Sequence, residues 1–206
     1  MQEQAEQSSS AVPGQVIPAQ IVIGVTGHRN LNDRSAITRA VSSAIDSIRQ
    51  MAPPLPSTTS LLVILSPLAE GADRLVVQEA LRIPGTALKV VLPLRKDDYM
   101  QDFTTEESKK EFEELLAQAK SIRILPVTNS RTEAYEQVGR YVVDRCDILM
   151  AIWDGKSSKG RGGTQEIVQY ARDINRSLVW IHTENPSRID IERGDGLNIE
   201  SDSLAI

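Results

Sequence analysis

The sequence predicts an α/β fold: a doubly wound, mainly parallel six-stranded sheet with helices on both faces. Three observations predict it. Six short apolar, largely β-branched runs recur along the chain, and runs of this length suit strands buried on both faces. The segments between them place apolar residues at helical spacing. Turn and cap residues stand where each helix would begin or stop.

The runs are Ile21 to Val25, Leu61 to Leu65, Leu88 to Leu92, Ser121 to Leu125, Ile148 to Ile152 and Leu178 to Ile181. After the first, Asp33 is placed to cap a helix whose residues Ile37, Val41, Ala44, Ile45 and Ile48 share one face, and Pro53-Pro54 ends it. A second helix is expected over residues 71–82, stopped by Pro84-Gly85. Thr104 and Glu107 read as a capping box ahead of the stripe Phe112, Leu115, Leu116 and Ala119. Further helices are expected over residues 132–144 and 164–175. The simplest strand order for such a chain is 3-2-1-4-5-6, with ligands bound beyond the carboxyl ends of the strands.

The chain has 206 residues, enough for one domain, expected over residues 20–183. Residues 1–19 are Gln- and Ser-rich without an aromatic and read as a flexible leader. Residues 184–206 carry six acids against Arg188 and Arg193 and read as an acidic linker or tail, as in a piece of a longer protein. The formal charge of −5 therefore sits at the ends: removing their eight acids and two bases leaves 20 acids and 21 bases in the body. Such a body suits a small anionic ligand. With no basic stripe and only eight aromatics, it argues against nucleic acid.

No apolar run approaches the length of a membrane span, and the first residues lack the pattern of a signal peptide, so a cytoplasmic setting is expected. One cysteine, Cys146, and two histidines, His28 and His182, make no metal cluster, so neither a metal nor a cofactor is expected. Cys146 reads as a small buried thiol. Trp180, Phe112 and Tyr141 read as core, and the charge run Glu106 to Glu114 as a solvated helix face.

Three loops after strands hold the unusual residues. The first, Gly24-Val-Thr-Gly27-His28-Arg29-Asn30, combines glycines for close backbone approach with one switchable and one fixed cation. Its plain alternative is a tight turn. In the second, Ser66-Pro-Leu-Ala-Glu70-Gly71-Ala-Asp73-Arg74, a glycine at a helix start exposes amides, Glu70 suits a ribose diol, and Asp73 is either a ligand contact or a first-turn acid. In the third, Trp153-Asp154-Gly-Lys156-Ser-Ser-Lys159-Gly160-Arg161-Gly162-Gly163-Thr164-Gln-Glu166, a glycine pair leads into a helix, a backbone cradle for phosphate. Its Gly-Lys-Ser is not a P-loop, because the first glycine of that pattern would fall on Met150. Arg131, after the fourth run near the expected switch point, is a weaker candidate.

Taken together, Ile23-Gly-Val-Thr-Gly-His-Arg29, Ser66 to Arg74 and Arg161-Gly-Gly-Thr-Gln-Glu166 resemble the SLOG superfamily, which joins the DNA-processing protein A fold, the Lonely Guy enzymes and the nucleotide-sensing domains of TRPM channels. The resemblance, nearest to prokaryotic sensor domains, covers about residues 20–183. It implies a Rossmann-like pocket for a nucleotide-derived ligand. Gly27, His28 and Arg29 would line it, Ser66, Glu70, Gly71, Asp73 and Arg74 would form a second wall with Asp154 nearby, and Gly162, Gly163 and Thr164 would hold phosphate. Glu166 would face the ribose. The Lonely Guy pattern G-G-x-G-T-x-x-E is not matched, since its carboxylate position falls on Ile167. The leading expectation is a sensor that signals to a fused or partner effector, in a prokaryotic defence setting and as a homo-oligomer. The alternative is a nucleotide N-glycosidase releasing a base from a 5′-phosphate, with Glu166 or Asp73 as its catalytic carboxylate.

Overall fold

A computed structural model describes residues 20–50, 61–157 and 163–194. The leader, Pro53-Pro54, Lys159, Arg161, Gly162 and the end of the tail lie outside the described residues. In chain order the elements are β1 (Gln20–Gly27), α1 (Arg34–Gln50), β2 (Leu61–Ser66), α2 (Ala72–Leu81), β3 (Ala87–Leu92), α3 (Lys96–Met100), α4 (Glu106–Leu116), β4 (Ala119–Ile124), α5 (Arg131–Arg145), β5 (Ile148–Trp153), α6 (Thr164–Asp173), β6 (Ser177–His182) and β7 (Ile189–Glu192).

The helices form where spacing and caps direct. Asp33 Oδ1 accepts the Ala36 amide at 2.9 Å, and α1 buries Ile37, Val41, Ala44, Ile45 and Ile48. The α4 cap stands one residue later than expected: Thr105, in extended conformation, accepts the Ser108 amide at 3.1 Å, so Thr104 and Glu107 form no box. Ser130 caps α5 by accepting the Glu133 amide. Helices α1, α2 and α4 cover one face of the sheet, with Ile37, Val76 and Phe112 in its core. Helices α5 and α6 cover the other, with Val142, Ile167 and Val168. The sheet is therefore doubly wound.

Its order, β4-β3-β2-β1-β5-β6-β7, corrects two expectations. The fourth strand does not lie beside β1; it pairs parallel with β3 at the sheet edge, and the crossover through α5 brings β5 next to β1. Being at the edge, β4 is not buried on both faces, and Ile122 and Ile124 are each 50% exposed. Among the described residues the sheet also has seven strands rather than six, and it is mixed. β7 pairs antiparallel with β6, placing Asp190 opposite Trp180.

The acids of β7 explain why this segment, read as a tail, joins the sheet. Asp190 accepts from Arg188 and lies 2.7 Å from His182 Nε2, while Glu192 takes Arg172 through two hydrogen bonds of 2.8 and 2.6 Å. Ile189 and Ile191 alternate with these acids and pack against the core. Among the described residues no helix is long and apolar enough to cross a membrane.

Candidate functional site

The strand order places the topological switch between β1 and β5, not between strands 1 and 4 as expected, and a cleft of about 520 Å³ opens beyond their carboxyl ends. This volume lies in the range of small-molecule sites, about 300–1,000 Å³. Of the residues singled out from the sequence, Gly27, His28, Arg29, Asp73, Asp154, Lys156, Gly163 and Thr164 line it.

The β1 loop enters the cleft because the neighbouring elements leave room only for glycine. A Cβ on Gly27 would lie 2.5 Å from Ala72 Cβ and 2.6 Å from the Ile152 carbonyl. The His28 amide donates to Ile152 O and its carbonyl accepts from Ala72 N, both at 3.0 Å, which ties the loop between β5 and α2. His28 Nε2 stands 3.4 Å from Asp154 Oδ1. Arg29 is exposed, its guanidinium 5.8 Å from the Tyr135 ring centroid, and it has no hydrogen bond or ion pair with any described residue. An exposed guanidinium in a cleft, hydrogen-bonded to no carboxylate among the described residues, suits an anionic ligand.

On the opposite rim, α6 begins without a side-chain cap. Gly163 and Thr164 line the cleft, and neither amide has a partner among the described residues. Together with the helix dipole, such a start attracts negative charge. Lys156 holds this rim's loop: its amide donates to Asp154 at 2.9 Å, its carbonyl accepts from Trp153 Nε1 at 3.0 Å, and its ammonium pairs with Glu184.

The β2–α2 loop behaves differently, and most of its residues are framework. Ser66 is fully buried and donates to Asp73 Oδ2 at 2.7 Å, while accepting the Leu68 amide at 2.9 Å. Arg74, 1% exposed, donates to Leu68 O, to both oxygens of Ser108 and to Glu111, and lies 4.4 Å from the Phe103 ring centroid. Glu70 accepts from Ser108 rather than standing open to a ribose. Gly71 has φ +80°, and a Cβ there would lie 2.1 Å from Arg29 O, so this glycine supports the β1 loop from beneath. The Ala72 amide, first of α2, is spent on His28 O. None of Ser66, Glu70, Gly71 and Arg74 lines the cleft.

Asp73 is the exception. It lines the cleft at 4% exposure, and burial pushes its carboxyl up to about 7 against the opposing pull of the Ser66 hydroxyl, the Ala69 amide and the charges of Arg29 and Arg74.

Glu166 does not line the cleft; its carboxylate lies 3.9 Å from Arg140 on α5. Ile167, one residue on, does line it. Arg131 is likewise absent from the cleft wall: it donates to Asp98 O and Asp102 and so joins α5 to α3. Cys146 is buried beneath Gly24, and burial pushes its thiol up to about 12, well away from nucleophilic use.

Two lining aromatics were not foreseen. Tyr99 comes from the short α3, and Tyr135 from α5, where its hydroxyl donates to Asp102. Burial raises the phenols of both. A Tyr four residues after Arg131, at the start of the helix that returns across the sheet, was the available signal.

The class defined by this geometry is a doubly wound α/β domain with an anion-suited cleft at its switch point. Compared with protein-family models and with curated proteins, the sequence gives no match, so the particular role rests on the site's own chemistry.

Proposed function

We propose that this protein is a binding module that senses a nucleotide or nucleotide-derived anion in the cleft between β1 and β5, as its resemblance to the SLOG superfamily implies. The ligand's phosphate sits against Arg29 and the start of α6, and its ring packs on the cleft aromatics. The observation that carries this reading is the placement across one cleft of an exposed Arg29 guanidinium and of the Gly163 and Thr164 amides, which have no hydrogen-bond partner among the described residues. A sensing role is favoured over hydrolysis because Ile167 occupies the lining position where the Lonely Guy pattern requires a carboxylate, and Glu166 stands outside the cleft. A fused or partner effector, a homo-oligomeric state, a cytoplasmic place and a prokaryotic defence setting belong to the same proposal.

One observation favours the alternative, a nucleotide N-glycosidase. Asp73 brings a carboxyl whose proton exchanges near neutral pH into the cleft, as a general acid or base requires. Incubation with nucleoside 5′-monophosphates separates the two readings. Thermal stabilisation without free base is the expected outcome, and released base that disappears in Asp73→Asn would establish the enzyme.

A further inference from the structure

Resting on that reading, a second property follows from where Asp73 stands. Its carboxyl opens onto the same cleft as Arg29, almost without contact with water. Ser66 Oγ accepts the Leu68 amide proton and so turns its own hydrogen toward Asp73. We propose that Asp73 is a specificity-determining residue that makes the cleft take up its anion together with one proton, so that anionic ligands are held more tightly as pH falls, while uncharged ones are not.

The groups facing Asp73 are Arg74 on its own helix, Arg29 from the β1 loop, Ser66 at the end of β2 and Tyr99 of α3. His28, Tyr135, Asp154 and Lys156 complete the titratable lining of the cleft. Arg29 is the group shared by both partners of the coupling. An anion drawn to its guanidinium removes the cation that favours the Asp73 carboxylate and adds a like charge across a site with little solvent screening. Both effects favour the neutral acid. Burial already holds this carboxyl at about 7, so the exchange falls in the neutral range. Linkage is reciprocal: the factor by which the anion tightens proton binding is the factor by which the proton tightens anion binding.

The test is calorimetric titration of AMP and of inorganic sulfate, with adenosine as the uncharged control, between pH 7 and 8.5. Wild type is compared with Asp73→Asn. Wild-type affinity for both anions should fall with pH more steeply than that of Asp73→Asn, by up to about tenfold per pH unit. Adenosine should show no such difference. At pH 8, in two buffers of unlike ionisation heat, the wild type should take up close to one proton more than the variant. Ser66→Ala supplies a second readout should Asp73→Asn fail to fold: without the hydroxyl that favours the carboxylate, the fall moves to higher pH. Parallel curves for the wild type and the variants overturn the coupling and leave the anion site standing. No binding of either anion at any pH overturns the coupling and the functional reading together.

Discussion

The loops after β2 and β5 contain the same ingredients, a glycine at a helix start with acids and cations around it, yet they differ in what those groups do. After β2, the polar groups are consumed by the protein: Ser66 by Asp73, Arg74 by Leu68, Ser108 and Glu111, and the Ala72 amide by His28. After β5, the amides of Gly163 and Thr164 have no partner among the described residues. A buried polar group must be satisfied, so the deeper loop becomes scaffold and the shallower one is left for a ligand. Residue types after a strand therefore identify a candidate loop, while burial decides whether it binds or braces.

That contrast breaks most readily at Arg74. Arg74→Ala should lower stability by about 2–5 kcal/mol, because it removes a side chain only 1% exposed that packs on Phe103 and takes away the donor to the Leu68 carbonyl. Chemical denaturation would measure it, and a loss under 1 kcal/mol would show that the brace is not needed. The two glycines should then part company. Gly71→Val meets the Arg29 carbonyl at a positive φ, with about 1–3 kcal/mol of backbone strain before any clash is counted. Gly163→Val has an ordinary extended backbone at φ −77° and should fold normally while losing anion affinity. Circular dichroism and calorimetry on both variants would reveal any reversal.

Asp73 sharpens the comparison through pH. Its folded-state carboxyl is raised from 3.8 to about 7, so the folded protein holds the proton that the unfolded chain has already released. Stability is fullest below about 4 and declines as pH rises toward 7, by up to roughly 1.4 kcal/mol per unit. Asp73→Asn should lack that decline, and equal slopes for the two proteins in denaturation series would refute the assignment. A comparable effect on binding is expected at the rim, where Arg29→Ala should weaken an anionic ligand by about 1.5–3 kcal/mol, with Arg29→Lys recovering part. The smallest change belongs to Glu166→Gln. Since Glu166 stands outside the cleft, anion affinity should shift by less than about 1 kcal/mol and no hydrolysis should be lost.

Much of this frame was legible in the residues. The apolar runs became strands and the α1 stripe became a buried face, because periodicity reports burial directly. Strand order was not, since nothing in the run Ser121 to Leu125 says that it pairs with β3 at an edge. β7 was hidden by brevity: four alternating residues, Ile-Asp-Ile-Glu, look like an acidic tail until Arg172 pairs with Glu192, Arg188 pairs with Asp190 and His182 stands beside Asp190. In the site, Gly27 of the first loop and Gly163 of the third pointed to the cleft, as backbone rules allow. Tyr99 and Tyr135 did not, because tertiary crossover alone brings α3 and α5 to the same wall.

The only two tryptophans of the chain are neighbours: Trp153 and Trp180 stack with centroids 5.2 Å apart, Trp180 donates to the Trp153 carbonyl, and Trp153 lines the cleft. Every photon of indole emission therefore originates at one stacked pair on the β5 side of the site, with the His182 ring stacked on Trp180 at 3.9 Å between centroids. The protein is its own optical probe there. A ligand entering the cleft changes the surroundings of one ring of the pair, so quenching or a shift in emission can be followed in unlabelled protein, with no background from distant indoles.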